Sequence, residues 1–241
     1  MSQLPAYFSD SCVDVLDDFE MTFQILLVGT DGIVLGSDRL FRTRGLREMV
    51  GSRRPSYQPT LGTKIYISDD RLTVCAFAGG PYSETIARRI VTTCAPLGLS
   101  EPNWKNALED ATKGVTEYSE QIADELLVIR VDNLSALKMV RQQSDDPGFS
   151  PVDSHIYSGM ETDAILIPKL FWRADMNCHE LKTLAIASIM QASIEAPGLV
   201  GGGVNIVTVG SDRRVGECQY SQFEATAIRD GFVAKVRQSL S

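Results

Sequence analysis

MTFQILLVGTDGIVLGSDR, residues Met21–Arg39, reads as two short strands joined by a hairpin. Thr22–Val28 is rich in β-formers, Thr30-Asp31-Gly32 turns the chain, and Ile33-Val34-Leu35 returns it. Asp-Gly between two apolar runs signals a hairpin because Gly adopts the positive φ such a turn requires. A hairpin sets the start of its first strand beside the end of its second. Thr22 and Asp38 are therefore expected as spatial neighbours although sixteen positions separate them. Taken alone, Thr is also an ordinary strand residue and Asp an ordinary turn former.

Downstream of Arg39, five arginines (Arg42, Arg44, Arg47, Arg53, Arg54) punctuate a Gly- and Pro-containing stretch that ends near Gly62. It reads as a solvated basic loop, or else as a contact surface for an acidic patch on a neighbouring subunit or on substrate. Lys64 follows on a strand, alternating with Ile65 and Ile67. Were that strand inside a sandwich, an unpaired ammonium would be costly, and Asp38 is the evident partner. Val74–Gly80 is a strand ending in Ala78-Gly79-Gly80, and Tyr82–Pro96 is a helix. A second helix follows from Pro102, its stripe running through Trp104, Leu108, Ala111, Val115, Tyr118 and Ile122. Strands at Leu127–Val131 and Ala136–Arg141 come next, then a polar loop over Ser144–Asp153, the Ile156 strand and Asp163–Ile167. Leu181–Ala196 is a helix stopped by Pro197 and Gly198, Val204–Val209 and Arg214–Cys218 are strands, and Phe223–Ser239 is the last helix. Strands in blocks, with helices between the blocks, suit an α+β fold of antiparallel sheets packed face to face with helices outside. Gly201-Gly202-Gly203 lacks dinucleotide-binding spacing and follows a helix rather than opening one.

The 241 residues carry 31 acids against 23 bases, a net charge of −8 that argues against a general nucleic-acid binder. Five scattered cysteines, no CxxC pair and two histidines (His155, His179) argue against a zinc site or a disulfide framework and fit a reducing cytoplasm. No apolar run approaches membrane-spanning length, so no membrane, metal or cofactor is expected. Residues 1–20 carry Asp10, Asp14, Asp17, Asp18 and Glu20 with no base, an acidic extension separate from the domain over 22–241.

TFQILLVGTDGIVLGSDR resembles the opening of a proteasome β-subunit-type N-terminal-nucleophile hydrolase, of the bacterial proteasome-like kind. Thr63–Asp70 with Val74–Gly80 resembles the family's catalytic-lysine strand and its Ala-Gly-Gly turn. Ile156-Tyr157-Ser158-Gly159 resembles the Gly-Ser-Gly segment, with Tyr157 in place of the first Gly, and Gly201–Ile206 resembles the late Gly-Gly and its strand. The four blocks fall in family order. The resemblance implies a four-layer αββα sandwich and a threonine peptidase with Thr22, Asp38, Lys64, Gly79 and Ser158 at its centre. It implies removal of residues 1–21 as a propeptide or extension, although Met21 stands where the pattern has Gly. The pattern's Asp and Ser ahead of the late glycines are here Pro197 and Val200, with Glu195 the nearest acid, and Phe77 falls where the family lines its specificity pocket.

The chemistry follows from the residue types. A hydroxyl is a weak nucleophile and needs a base within reach. An N-terminal Thr carries its own, since an α-amine of reference pKa about 7.7–8.0 is available near neutral pH when a cation lowers it. Lys64 held by Asp38 is that cation, the Gly79 N–H would donate to the oxyanion, and Ser158 would orient the amine or the attacking water. Three functions remain open: a threonine endopeptidase confined in a homo-oligomeric ring, an inactive ring-forming structural subunit, and an amidohydrolase of small amides. The first takes peptides or unfolded proteins as substrates and admits an ATPase unfoldase as partner.

Overall fold

The opening hairpin pairs antiparallel, with β1 (Phe23–Val28) and β2 (Gly32–Asp38) in register from Val28 opposite Ile33 to Gln24 opposite Ser37. Its turn is closed by the Gly29 N–H donating to the Gly32 carbonyl at 2.9 Å. The computed structural model describes residues 22–44, 57–79, 82–93, 101–113, 123–141 and 147–239. Expectations for residues 1–21, for Arg47, Arg53 and Arg54, for Cys12 and Cys94, and for Val115, Tyr118 and Ile122 lie outside these residues.

The remaining elements follow in order. β3 (Leu40–Arg44), β4 (Tyr57–Leu61), β5 (Ile65–Ile67) and β6 (Thr73–Gly79) lead into α1 (Ser83–Thr93) and α2 (Glu101–Thr112). β7 (Asp124–Arg130), β8 (Ser135–Arg141), β9 (Gly148–Pro151) and β10 (His155–Gly159) precede a 3-10 turn at Asp163–Ile165, α3 (Leu166–Phe171) and α4 (Cys178–Glu195). β11 (Val204–Gly210), β12 (Val215–Tyr220) and α5 (Gln222–Ser239) complete the chain. One antiparallel sheet has the order β10-β1-β2-β11-β12, a second has β5-β6-β7-β8-β9, and β3 pairs with β4. The fold is α+β.

Three buried clusters show how the strand period sorts side chains. Phe23, Ile25 and Leu27 alternate to the side of β1 that packs on Leu184 and Ile189 of α4 and Ala225 of α5. Leu26, Leu35 and Val207 of the first sheet instead join Val74, Ala76 and Leu127 of the second. On the far side of the second sheet, Phe77, Leu126 and Met139 pack with Ile86 and Ile90 of α1 and Leu108 of α2. The period of two puts Thr22 and Gln24 on the Leu26 side, facing the second sheet, and a slip of one residue would turn both away.

The structure corrects three sequence expectations. The basic insertion is no plain loop where it is described, because Leu40–Arg44 and Tyr57–Leu61 pair as a two-stranded arm. The polar loop over Ser144–Asp153 contains β9, which adds an edge to the second sheet. Asp163–Ile167 is helical rather than extended: Thr162 caps it by accepting from the Ala164 N–H at 3.3 Å, and Pro168 occupies the first turn of α3.

α4 starts three residues before the expected Leu181, because Asn177 and Glu180 form a reciprocal capping box. The Asp31 carboxylate accepts from the Cys178 N–H at 2.6 Å, tying the β1–β2 turn to this helix. Burial and the Asp31 carboxylate push the Cys178 thiol up to about 12. At pH 8, iodoacetamide is therefore expected to modify exposed Cys218 and to spare Cys178, read by peptide mass mapping. Equal alkylation of the two would contradict the Asp31 contact.

Candidate active site

The hairpin brings Thr22 and Asp38 to one end of the first sheet, and Lys64, just ahead of β5, reaches them from the second. Lys64 Nζ donates to Thr22 Oγ1 at 2.7 Å and to both Asp38 carboxylate oxygens at 3.2 Å. The Lys64–Asp38 ion pair is completely buried, and Thr22 is 1% exposed. Backbone donors complete the carboxylate. The Phe23 N–H donates to Oδ1 at 3.1 Å, while Leu40 and Gly201 N–H groups donate to Oδ2 at 3.2 and 3.3 Å. Burial pushes the Asp38 carboxyl above its ordinary value, and the Lys64 charge and these N–H groups pull against it.

The ammonium is roofed by an aromatic group. Lys64 Nζ lies 5.0 Å from the Phe41 ring centroid on β3, Phe41 meets Phe77 at 6.4 Å, and Phe77 stacks on Tyr66 at 5.5 Å. Phe77 is itself buried, so Phe41 and Tyr66 present the partly exposed aromatic surface here. The arm over Leu40–Arg44 thus bears on the site, which the sequence reading of a loop did not foresee.

Ser158 and Gly79 stand beside this group. Ser158 is buried on β10, directly opposite Gln24 on β1, and its Oγ has no hydrogen-bond partner among the described residues. It continues a buried polar row through Gln24, Ser37 and Asn205, each opposite the next. Gln24 Nε2 donates to the Phe77 carbonyl, and Asn205 Nδ2 to Thr63 Oγ1 at 2.7 Å, so the row bridges to the second sheet. A Cβ on Gly159 would lie 2.0 Å from the Thr22 carbonyl oxygen and 3.2 Å from Ala78 Cβ, which puts the end of β6 next to Thr22. Gly79 follows at φ +93°, where a Cβ would meet the Ala123 carbonyl oxygen at 2.1 Å.

The positions ahead of the late glycines bring no polar side chain to Thr22. Pro197 and Val200 bridge to each other, and Val200 is buried in the α4 core. Glu195 is engaged elsewhere, accepting from the Ala164 N–H at 3.2 Å and from Gln191 Nε2 at 2.8 Å. The loop contributes a backbone donor instead, the Gly201 N–H to Asp38. Its one signal in the sequence is the glycine run before β11. Among the described residues no group of three or more His, Cys, Asp or Glu is arranged to hold a metal, and no helix is long and apolar enough to cross a membrane.

Chemically, an ammonium 2.7 Å from a hydroxyl oxygen favours the deprotonated form of that hydroxyl. The Asp38 carboxylate keeps the ammonium in place without competing for Thr22.

No family model matches the chain, and neither does any curated protein. Solved structures do. A Gly-1 mutant of Anbu from Hyphomicrobium sp. strain MC1 superposes with a TM-score of 0.66 at 13% identity, over 91% of this chain and 96% of that one. Anbu from Yersinia bercovieri, described as an ancestral β-subunit, gives 0.66 at 10% identity over 90% and 95%. A helical assembly of the Anbu complex from Pseudomonas aeruginosa gives 0.62 at 10% identity over the same shares. The chain has the fold of Anbu at low sequence identity.

Proposed function

We propose that this Anbu-fold chain is a threonine-type endopeptidase that uses Thr22, freed as the N-terminus, inside a self-compartmentalised homo-oligomer. The observation that carries the reading is the Lys64 ammonium, 2.7 Å from Thr22 Oγ1 and held by Asp38 in a fully buried pair. In the 241-residue chain the Thr22 nitrogen belongs to the peptide bond from Met21, and an amide nitrogen is no base. Removal of residues 1–21 supplies the amine. The amine then takes the Thr22 hydroxyl proton, Oγ attacks the scissile carbonyl, and Lys64 stabilises the developing charge on Oγ. The oxyanion is received by the Gly79 N–H, a contribution of roughly 3–4 kcal/mol in comparable sites. The leaving amine takes a proton from the ammonium of residue 22, and water, oriented with Ser158, hydrolyses the ester. The three buried clusters support a four-layer order of helices, sheet, sheet and helices around this site.

Confinement is the physical remedy for a peptidase that would otherwise cut its neighbours, and the helical assembly of a fold relative supports an oligomer here. The thiols of Cys178 and Cys218 suit a reducing cytoplasm. Intact mass and sedimentation of the protein from its host, with and without a peptide epoxyketone, test the reading. The expected result is a chain beginning at Thr22, labelled there and sedimenting as an oligomer. A chain that retains Met21 and takes no label would refute it, as would an active micromolar monomer.

Pro197 and Val200 favour a second reading, a structural subunit without activity, because they leave the Thr22 nitrogen without the side chains of the family pattern. Retention of residues 1–21 in the mature protein selects it. Turnover of small amides but not peptides would select an amidohydrolase instead.

A further inference from the structure

A second ion pair, Glu125 with Lys138, lies on the second sheet. Glu125 stands opposite Val140 and Lys138 opposite Leu127, so the two are diagonal neighbours on one face of β7 and β8. That face packs toward the first sheet, because Leu127, two residues on from Glu125, sits in the inter-sheet cluster. Lys138 Nζ lies 2.9 Å from Glu125 Oε2, with the side chains 17% and 24% exposed.

Both partners also bond one short piece of β10. The Gly159 N–H donates to Glu125 Oε2 at 3.0 Å, and Lys138 Nζ donates to the Tyr157 carbonyl at 3.1 Å. The ammonium also lies 5.8 Å from the Tyr157 ring centroid. The pair therefore grips the backbone on either side of Ser158. The same piece of β10 touches the nucleophile, since the Met160 N–H donates to the Thr22 carbonyl at 2.8 Å and Gly159 has no room for a Cβ against it. A partly exposed ion pair alone adds little to stability, but two charge-assisted bonds to consecutive peptides fix a direction. Within the first sheet β10 is an edge strand, bonded to β1 alone, so its position depends on such a bracket.

We propose that Glu125 and Lys138 are positioning residues, a clamp that holds Tyr157–Gly159 in place beside Thr22 and so sets Ser158 for the reaction. Its catalytic consequence rests on the peptidase reading above. Its structural content does not, and the two are tested apart.

Glu125→Leu removes both bonds of the carboxylate, Lys138→Met keeps the bulk and removes the donor, and Glu125→Gln keeps an acceptor for the Gly159 N–H. In Glu125→Leu, amide hydrogen exchange at Gly159 is expected to quicken by at least ~10-fold relative to wild type, with exchange in α4 unchanged. Epoxyketone labelling of Thr22 should slow by ~10-fold in Glu125→Leu and in Lys138→Met, and kcat should fall with KM nearly constant, as displacement of a reacting array predicts. Glu125→Gln should recover labelling to within ~3-fold of wild type. Unchanged Gly159 exchange in a folded Glu125→Leu protein overturns the clamp, as does a Gln variant as slow as Leu. A wild type that takes no label at Thr22 refutes the peptidase reading, and Gly159 exchange then still decides the clamp.

Discussion

Thr22→Ala is expected to abolish peptide hydrolysis, a loss of at least ~10⁴-fold, while fold and assembly persist. The substitution removes the only atom proposed to attack the substrate, so amine, ammonium and oxyanion donor are left without a reaction to promote. Stability should change little. Lys64 retains both Asp38 oxygens at 3.2 Å, and the strand pairing around residue 22 uses its backbone. Hydrolysis should be followed with an internally quenched peptide, alongside sedimentation and circular dichroism. Activity near wild type in a purified Thr22→Ala protein would refute the peptidase reading, whatever its assembly state.

Lys64→Ala and Asp38→Asn should each lower kcat by at least ~10²-fold, and the double variant should cost little more than the worse single one. The two losses have a common route. Without Lys64, a buried Asp38 whose carboxyl is already pushed above its ordinary value takes up a proton, and Thr22 loses its cation. Without the Asp38 charge, the buried Lys64 ammonium loses its counter-ion and the hold that aims it at Thr22, which weakens the same cation. Breaking a buried pair from one side costs about 3–5 kcal/mol, so Asp38→Asn should also lower the melting temperature visibly. Additive losses in kcat would show that the two act separately.

The raised Asp38 carboxyl also fixes a sign. Activity needs the ionised carboxylate, so the acid limb of kcat should lie above the ordinary aspartate range. Stability runs the other way for this group. Its contribution is complete below its unfolded pKa and is lost as pH rises through the higher folded value. Acid should therefore silence hydrolysis while protonation of this residue favours the fold, which parallel pH–rate and circular dichroism curves would show.

The hairpin was legible from local chemistry alone. A stretch rich in β-formers, an Asp-Gly turn and a short return require Thr22 beside Asp38, and a strand period of two then gives Thr22 and Gln24 the same face as Leu26. The long helix before Pro197 and the late pair of strands are similarly local, as are the charge balance and the lack of a zinc spacing. Asp163–Ile167 was less legible, because the four-residue apolar run Ala164–Ile167 has no period of its own. A Thr162 cap and Pro168 make it helical.

Other features depended on which elements meet. Lys64 could be matched with Asp38 from the cost of a lone buried ammonium, but its 2.7 Å approach to Thr22 requires the second sheet to lie against the first. The arm of β3 and β4 that sets Phe41 over Lys64 and the grip of Glu125 and Lys138 on β10 leave no mark in local sequence, and the Gly201 N–H donated to Asp38 leaves only the glycine run before β11. Each joins residues far apart in the chain, and each is specified by packing and hydrogen-bond satisfaction between elements. By itself the sequence determined the pairing within the hairpin, the long helix before Pro197 and the late pair of strands, because these depend on neighbours a few residues away. Only the tertiary structure decided which groups surround Thr22, because that depends on how two sheets and their connecting loops bury polar atoms against one another.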